Sequence, residues 1–138
     1  MAQIDIRNVQ KFFGQHQVLK NLNLTIEDGE FVVMLGQSGG GKTTAQRAIA
    51  GLETVTSGKI LINGTEVQDR KAADRDIAFV FQSFSLYPHM TVRENIAFPL
   101  RAVRMNAADR DKAVSEVAET LQIAEHLNRK PSALSGGD

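Results

Sequence analysis

Cysteine is missing altogether from the 138 residues, which excludes disulfides and thiolate metal sites and fits a reducing compartment. An excess of charge is missing too. Lys and Arg together number 16, as do Asp and Glu, so no net field draws the chain to nucleic acid or anionic lipid. No apolar run approaches the roughly 20 residues of a membrane span. The opening MAQIDIRNVQ lacks the basic-then-apolar pattern of a secretory leader. There is no internal repeat, low-complexity tract or flexible linker. What remains is about one domain's worth of chain, expected to be soluble and cytoplasmic. His16, His89 and His126 are scattered, without metal-ligand spacing, and read as surface or loop residues.

Glycine, by contrast, is concentrated. In GQSGGGKTT, between the apolar run FVVML and the helix-like AQRAIA, four glycines precede a lysine and two threonines. A packed core has no use for that; glycine helps where the chain turns sharply or another group approaches the backbone. Gly36, Gly41, Lys42 and Thr43 occupy the fixed places of G-x-x-x-x-G-K-[ST]. Successive N–H groups in such a turn form a concave nest for phosphate. The N-terminus of the following helix adds unpaired donors and a partial positive charge. Lys42 is expected to reach the β- and γ-phosphates, and the Thr43 hydroxyl to ligate Mg²⁺. The loop reads as a nucleotide-phosphate site made of Gly36, Gln37, Ser38, Gly39, Gly40, Gly41, Lys42, Thr43 and Thr44.

Around it, QIDIRNV and NLNLTI alternate apolar and polar, as half-buried antiparallel strands do. FVVML and IAFVF are continuous apolar runs, expected of parallel strands buried on both faces. GKILINGTEVQ reads as a hairpin turning at Asn63-Gly64. Thr91 and Glu94 stand at capping-box spacing and predict a helix to about Val103. Asn106 caps a second predicted helix, with Val114, Val117, Ala118 and Leu121 as its apolar stripe. The predicted class is α/β. Two doubly buried strands are few for such a sheet, since about five or six are usual, so the sequence looks like the front part of a larger domain.

With GQSGGGKTT, FVFQSFSLYPHMTVREN and LSGG in that order, the chain resembles the nucleotide-binding subunit of ATP-binding-cassette (ABC) transporters. Its wording is closest to the ATPases of bacterial sugar and glycerol-phosphate importers, and the resemblance runs over the whole chain. It implies an incomplete RecA-like P-loop core. Residues 1–30 form an antiparallel β part with the adenine-side loop, residues 31–82 a P-loop core with a hairpin insertion, and residues 83–138 the Q-loop and helical part. The cofactors it implies are ATP and Mg²⁺. Phe13 matches the ring that stacks on adenine; one of Phe12 and Phe13 should point each way along a strand, and both are also reasonable core residues. Val18 matches the position beside the ribose, with a core role the alternative.

Gln82 matches the Q-loop glutamine, which the resemblance makes catalytic with Lys42 and a Mg²⁺ ligand with Thr43. SFSLYPHM, from Ser83 to Met90, matches the surface that receives a permease subunit, with a satellite core under the helices the alternative. Ser135, Gly136 and Gly137 match the signature that caps the γ-phosphate bound to a second ATPase subunit. Transport partners of this kind place the protein at the inner face of the cell membrane, without insertion. Departures are Asp138 in place of the glutamine closing the signature, Gly40 where serine or cysteine is common, and Ala45 and Gln46 in place of larger apolar residues. The family's Mg²⁺-associated aspartate, catalytic glutamate and switch histidine fall after the signature and are not expected within these residues. The implied function is ATP binding and hydrolysis coupled to solute import. The alternative is an inactive nucleotide-binding or interaction fragment; a P-loop kinase or GTPase would leave Gln82 and LSGG unexplained.

Overall fold

The alternating stretches near the start become a hairpin, with β1 (Ile4–Phe13) and β2 (His16–Ile26) paired antiparallel. The computed structural model that shows this describes residues 2–82 and 85–135 and has two units, Met1–Phe79 and Val80–Asp138. In the first unit, Phe13 pairs with His16 across a two-residue turn where Gly14 takes φ 59°, a conformation glycine adopts at little cost. Strict alternation breaks at Asn8. Its φ is 51°, its N–H donates to Asn23 Oδ1 at 2.9 Å, and the register with β2 shifts between Ile6 and Val9. This is a β-bulge. It carries the buried positions from Ile6 to Val9 and on to Lys11.

β3 (Ser57–Ile62) pairs antiparallel with the other side of β1, and β4 (Thr65–Glu66) returns along β3, giving the order β2-β1-β3-β4. The β3–β4 turn is the one Asn-Gly predicts: Asn63 and Gly64 have φ 50° and 74°, both positive as a type I′ turn requires. Gly58 lies at the bulge with φ 94°, and a Cβ there would come within 2.5 Å of Asn8 O and Val9 Cα. Helix α1 (Lys42–Ile49) buries Ala45, Ala48 and Ile49 in a core with Ile6, Val9, Leu19, Ile60 and Val67. Ala45 thus fills a core position with a small side chain, while Gln46 is exposed.

The two expected parallel strands are corrected. The sheet among the described residues is antiparallel and includes neither residues 31–35 nor 77–81. Val32 and Met34 are half-buried, whereas Phe31, Val33 and Leu35 are 90%, 61% and 88% exposed. Ile77 and Phe79 are half-buried and Ala78 is exposed. A parallel strand of the doubly buried kind needs cover on both faces and ladders on its flanks. Met34 and Ile77 meet the core, and that supplies one face only.

The second unit is helical. α2 (Val92–Ala102) begins at Thr91 with the predicted capping box: the Glu94 N–H donates to Thr91 Oγ1 at 3.2 Å, and the Thr91 N–H to Glu94 Oε2 at 2.7 Å. The Val92 and Arg93 N–H groups, otherwise orphaned, donate to the carbonyls of Arg129 and Leu127 at 2.9 Å each. α3 (Ala107–Thr120) begins at Asn106, whose Oδ1 accepts from the Asp109 N–H at 3.0 Å. Of the expected stripe, Val114 and Ala118 are fully buried, with Val92, Ala97 and Leu127, while Val117 and Leu121 are exposed. The stripe narrows because α2 and the 123–134 segment cover one side of α3.

Two outcomes are expected in denaturant unfolding. Gly58→Ala combines backbone strain with a collision against β1 and should cost at least about 2 kcal/mol; Gly64→Ala, with open space around it, should cost only strain, about 1 kcal/mol. Equal losses would contradict the close approach. The Glu94 carboxyl is held below its usual range by the Thr91 N–H and then the Thr91 hydroxyl. A lowered carboxylate pKa contributes stability that is full above the ordinary value and lost as pH falls through the folded-state value. The stability of this unit should therefore decline below about pH 4, and less steeply in Glu94→Gln, which keeps a capping side chain without a titrating one.

Candidate functional site

The glycine-rich loop is shaped by backbone that side chains rarely tolerate. Gly36, Gly39 and Gly41 have φ 155°, 76° and 84°, and Gly41 is also the N-cap of α1. A Cβ on Gly41 would lie 3.0 Å from Leu19 Cδ2 and from Val18 O, so the loop backbone rests directly on β2. The Gly40 N–H donates to Gln37 O at 3.1 Å, closing the turn. No side chain caps the helix start, and its first turn holds no acidic residue, so the partial positive charge there is left without a carboxylate to offset it. Gly39, Gly40, Gly41, Lys42, Thr43 and Thr44 enclose a concave space of about 130 Å³.

The Lys42 ammonium donates to Gly36 O at 2.8 Å and to Gln37 O at 2.7 Å. An ammonium has three donors, so these bonds hold the charge at the lip of the nest with one donor to spare. Thr43 presents an exposed hydroxyl beside it. Among the described residues no cluster of three or more His, Cys, Asp or Glu can hold a metal; oxygen from Thr43 is what this loop offers a hard cation.

Next to the nest, a second cavity of about 470 Å³ is walled by His16, Gln17, Val18, Leu19, Lys20, Leu22, Gly39 and Gly40. Val18, expected beside the sugar, is in that wall. Phe13 pairs with His16 at the near end of the hairpin and is 47% exposed. The first unit thus brings Val18 beside the loop, while Phe13 stands at the hairpin turn, outside the residues that line either cavity. Gln82 belongs to the second unit, exposed in a turn, and Ser135 is exposed near its end. Ser83, Gly136, Gly137 and Asp138 fall outside the described residues. Within the expected permease surface, Asn95 fastens the chain: its Oδ1 accepts from the Tyr87 N–H at 2.8 Å, and its Nδ2 donates to Tyr87 O and Thr91 O at 3.2 and 2.9 Å. The Tyr87 ring meets Phe98 at 4.7 Å between centroids.

Two arrangements escaped sequence reasoning. Arg75 is buried, and its guanidinium donates to Ala48 O at 2.7 Å and Ile49 O at 3.0 Å, the carbonyl end of α1, and also to Gln68 O and Arg70 O. Burial lowers its pKa, but an arginine stays charged. Lys11 is also buried; it donates to Glu53 Oε1 at 2.7 Å and lies 4.7 Å from the centre of the Phe13 ring. That bond lowers the Glu53 pKa. A lysine two places from Val9 and two from Phe13 was the available signal. Nothing local marks Arg75.

Nest, helix and β-hairpin define a domain of the P-loop class. The family described as ABC transporter matches residues 19–138, and the chain belongs to it. The chain is 52% identical over 138 residues to the trehalose import ATP-binding protein SugC of Mycobacterium tuberculosis (strain ATCC 25618 / H37Rv), covering 99% of this chain and 35% of that protein. It is 50% identical over 137 residues to the maltose/maltodextrin import ATP-binding protein MalK of Salmonella typhimurium, covering 99% and 37%. Identity is again 50% over 137 residues with the sn-glycerol-3-phosphate import ATP-binding protein UgpC of Ruegeria sp. (strain TM1040), covering 99% and 39%. The chain therefore spans little more than a third of these relatives.

Among solved structures, the dimeric bacterial ABC transporter cassette MJ0796 superposes with a TM-score of 0.86 at 35% identity, over 96% of this chain and 63% of that one. A dimeric post-hydrolysis state of the same cassette bound to ADP and Pi gives 0.85 at 34% identity, with the same coverage. The fold class is α/β, a P-loop core with an antiparallel β part and the start of a helical part.

Lys42→Ala should lower nucleotide affinity about tenfold to a hundredfold, the loss of one charge-assisted contact. Its circular dichroism should match that of the unsubstituted chain. Unaltered affinity by calorimetry would refute the assignment of the loop.

Proposed function

We propose that this chain is the N-terminal, nucleotide-binding part of an importer ATPase, taking Mg·ATP at residues 36–44. The observation that carries this is the nest at the start of α1, lined by backbone donors, faced by Lys42 and free of any acidic residue in the first helical turn. The β- and γ-phosphates would lie in it, with the spare donor of Lys42 on the γ side. Mg²⁺ would take one oxygen from Thr43. The ribose would run past Val18, and adenine would stack on Phe13. The names of SugC, MalK and UgpC support a sugar or glycerol-phosphate type of solute for the parent transporter.

The same reading assigns a second ATPase subunit to Ser135, Gly136 and Gly137, and a permease subunit to residues 83–90. The exposure of Leu86 and Tyr87 supports the latter, as does the fastening by Asn95. Both partners put the protein at the cytoplasmic face of the membrane. The proposed division is residues 1–30, 31–82 and 83–138.

Hydrolysis is a separate matter. In-line attack on the γ-phosphate needs a positioned water as well as a cradle, and the family's catalytic glutamate follows the signature. Calorimetry with Mg·ATP, followed by single-turnover phosphate release, tests both parts. The chain should bind Mg·ATP and release no phosphate above the uncatalysed rate. Absence of binding would overturn the function; phosphate release that Lys42→Ala abolishes would overturn only the inactivity of these residues.

A further inference from the structure

Behind the Phe13 ring stands the Lys11 ammonium. The bulge at Asn8 turns Lys11 onto the buried side of β1, where the residue is 7% exposed. A buried ammonium must find partners in every direction. Lys11 does so: Glu53 Oε1 at 2.7 Å, Thr54 Oγ1 at 3.3 Å, and the face of the Phe13 ring at 4.7 Å from its centre. Two polar partners and one π face use all three N–H directions.

These partners are themselves fixed. The N–H groups of Leu52 and Glu53 donate to Arg47 O at 2.8 and 3.2 Å, so the Glu53 turn is an extension of α1. The Thr56 N–H donates to Gln10 O at 2.8 Å, and the Phe12 N–H to Thr56 Oγ1 at 3.0 Å. The end of β1 is thereby tied to the same turn on both sides of Lys11. One end of α1 carries the phosphate nest; the other, through Glu53 and Lys11, holds the ring.

We propose that Lys11, anchored by Glu53, is a positioning residue for base recognition: it occupies one face of the Phe13 ring and leaves the other to receive adenine. This rests on the reading of Phe13 as the base-stacking ring. Two consequences follow from the geometry. A ring held on one side by a cation cannot rotate freely, so less order is lost when a base stacks on it. The ammonium also draws π density toward itself, which suits the outer face to an electron-rich purine.

The test separates base from phosphates by using two probes on the whole chain, Mg·ATP and inorganic tripolyphosphate. The ratio of their affinities measures what the base contributes. Lys11→Met should weaken ATP binding about threefold to tenfold, a part of the stacking contribution, and leave tripolyphosphate binding within about twofold. Because Lys11→Met leaves the Glu53 carboxylate unpaired, Lys11→Met with Glu53→Gln is the companion variant, and the same change in the ratio is expected. In a Phe13→Ala background, Lys11→Met should have no further effect on the ratio.

Equal weakening of both probes, or an undiminished effect of Lys11→Met without the ring, would overturn the proposal. The stacking reading is checked on its own by Phe13→Trp, since the chain has no other tryptophan. ATP should quench that indole and tripolyphosphate should not. Quenching by neither would fault the ring assignment, whereas quenching by ATP with an unchanged ratio in Lys11→Met would fault the role of Lys11.

Discussion

The contact of Gly41 with β2 is the constraint on which the site depends. At this residue the chain takes a left-handed turn, starts a helix, and lies so near Val18 and Leu19 that a Cβ would be in tight contact with both. A Cβ there would add left-handed backbone strain and crowd the Val18 carbonyl. Because the backbone itself is the contact surface, the nest is held by the sheet, and its donors can face outward without side chains to orient them. The opposite end of the helix is treated differently. Its carbonyls are covered by the Arg75 guanidinium, a buried cation at the negative pole. One pole of α1 is satisfied by the protein and the other is kept for an anion.

A buried arginine and a buried lysine are costly choices when hydrophobic residues of similar volume are available. Both are tolerated here because each is fully bonded. Arg75 draws the 68–70 stretch and the end of α1 onto one planar group, and Gly51 makes space for it, since a Cβ there would lie 2.6 Å from Arg75 Nε. The outcome is a unit in which the loop, helix and hairpin share one frame although much of its surface chain is irregular.

What could be read from the sequence was local. The capping box at Thr91, the Asn106 cap, the Asn63-Gly64 turn and the phosphate loop each depend on residues a few places apart, and their chemistry is the same in any surroundings. The strands at residues 31–35 and 77–81 were misjudged because composition reports the environment a segment suits, whereas burial depends on which neighbours are present. The α3 stripe was read too wide for the same reason: Val117 and Leu121 fit an apolar face that the unit does not cover. Lys11 with Glu53, and Arg75 with Ala48, are pairs separated by 42 and 27 residues. Only the folded chain brings them together, and a lysine or arginine in isolation reads as surface.

The path of the chain through the sheet also fixes an order of events. β1 and β2 are joined by a two-residue turn, so they can pair within about 10 microseconds, as isolated hairpins do. β3 instead returns to β1 with Ile62 opposite Ile4, and the whole phosphate loop and α1 lie inside the segment that this pairing closes. Closing such a loop costs chain entropy before any contact repays it. On this ground the nest is expected to form late, once β3 has paired with β1 and the helix lies on the sheet. An anion resting in it would be holding that pairing shut from the inside.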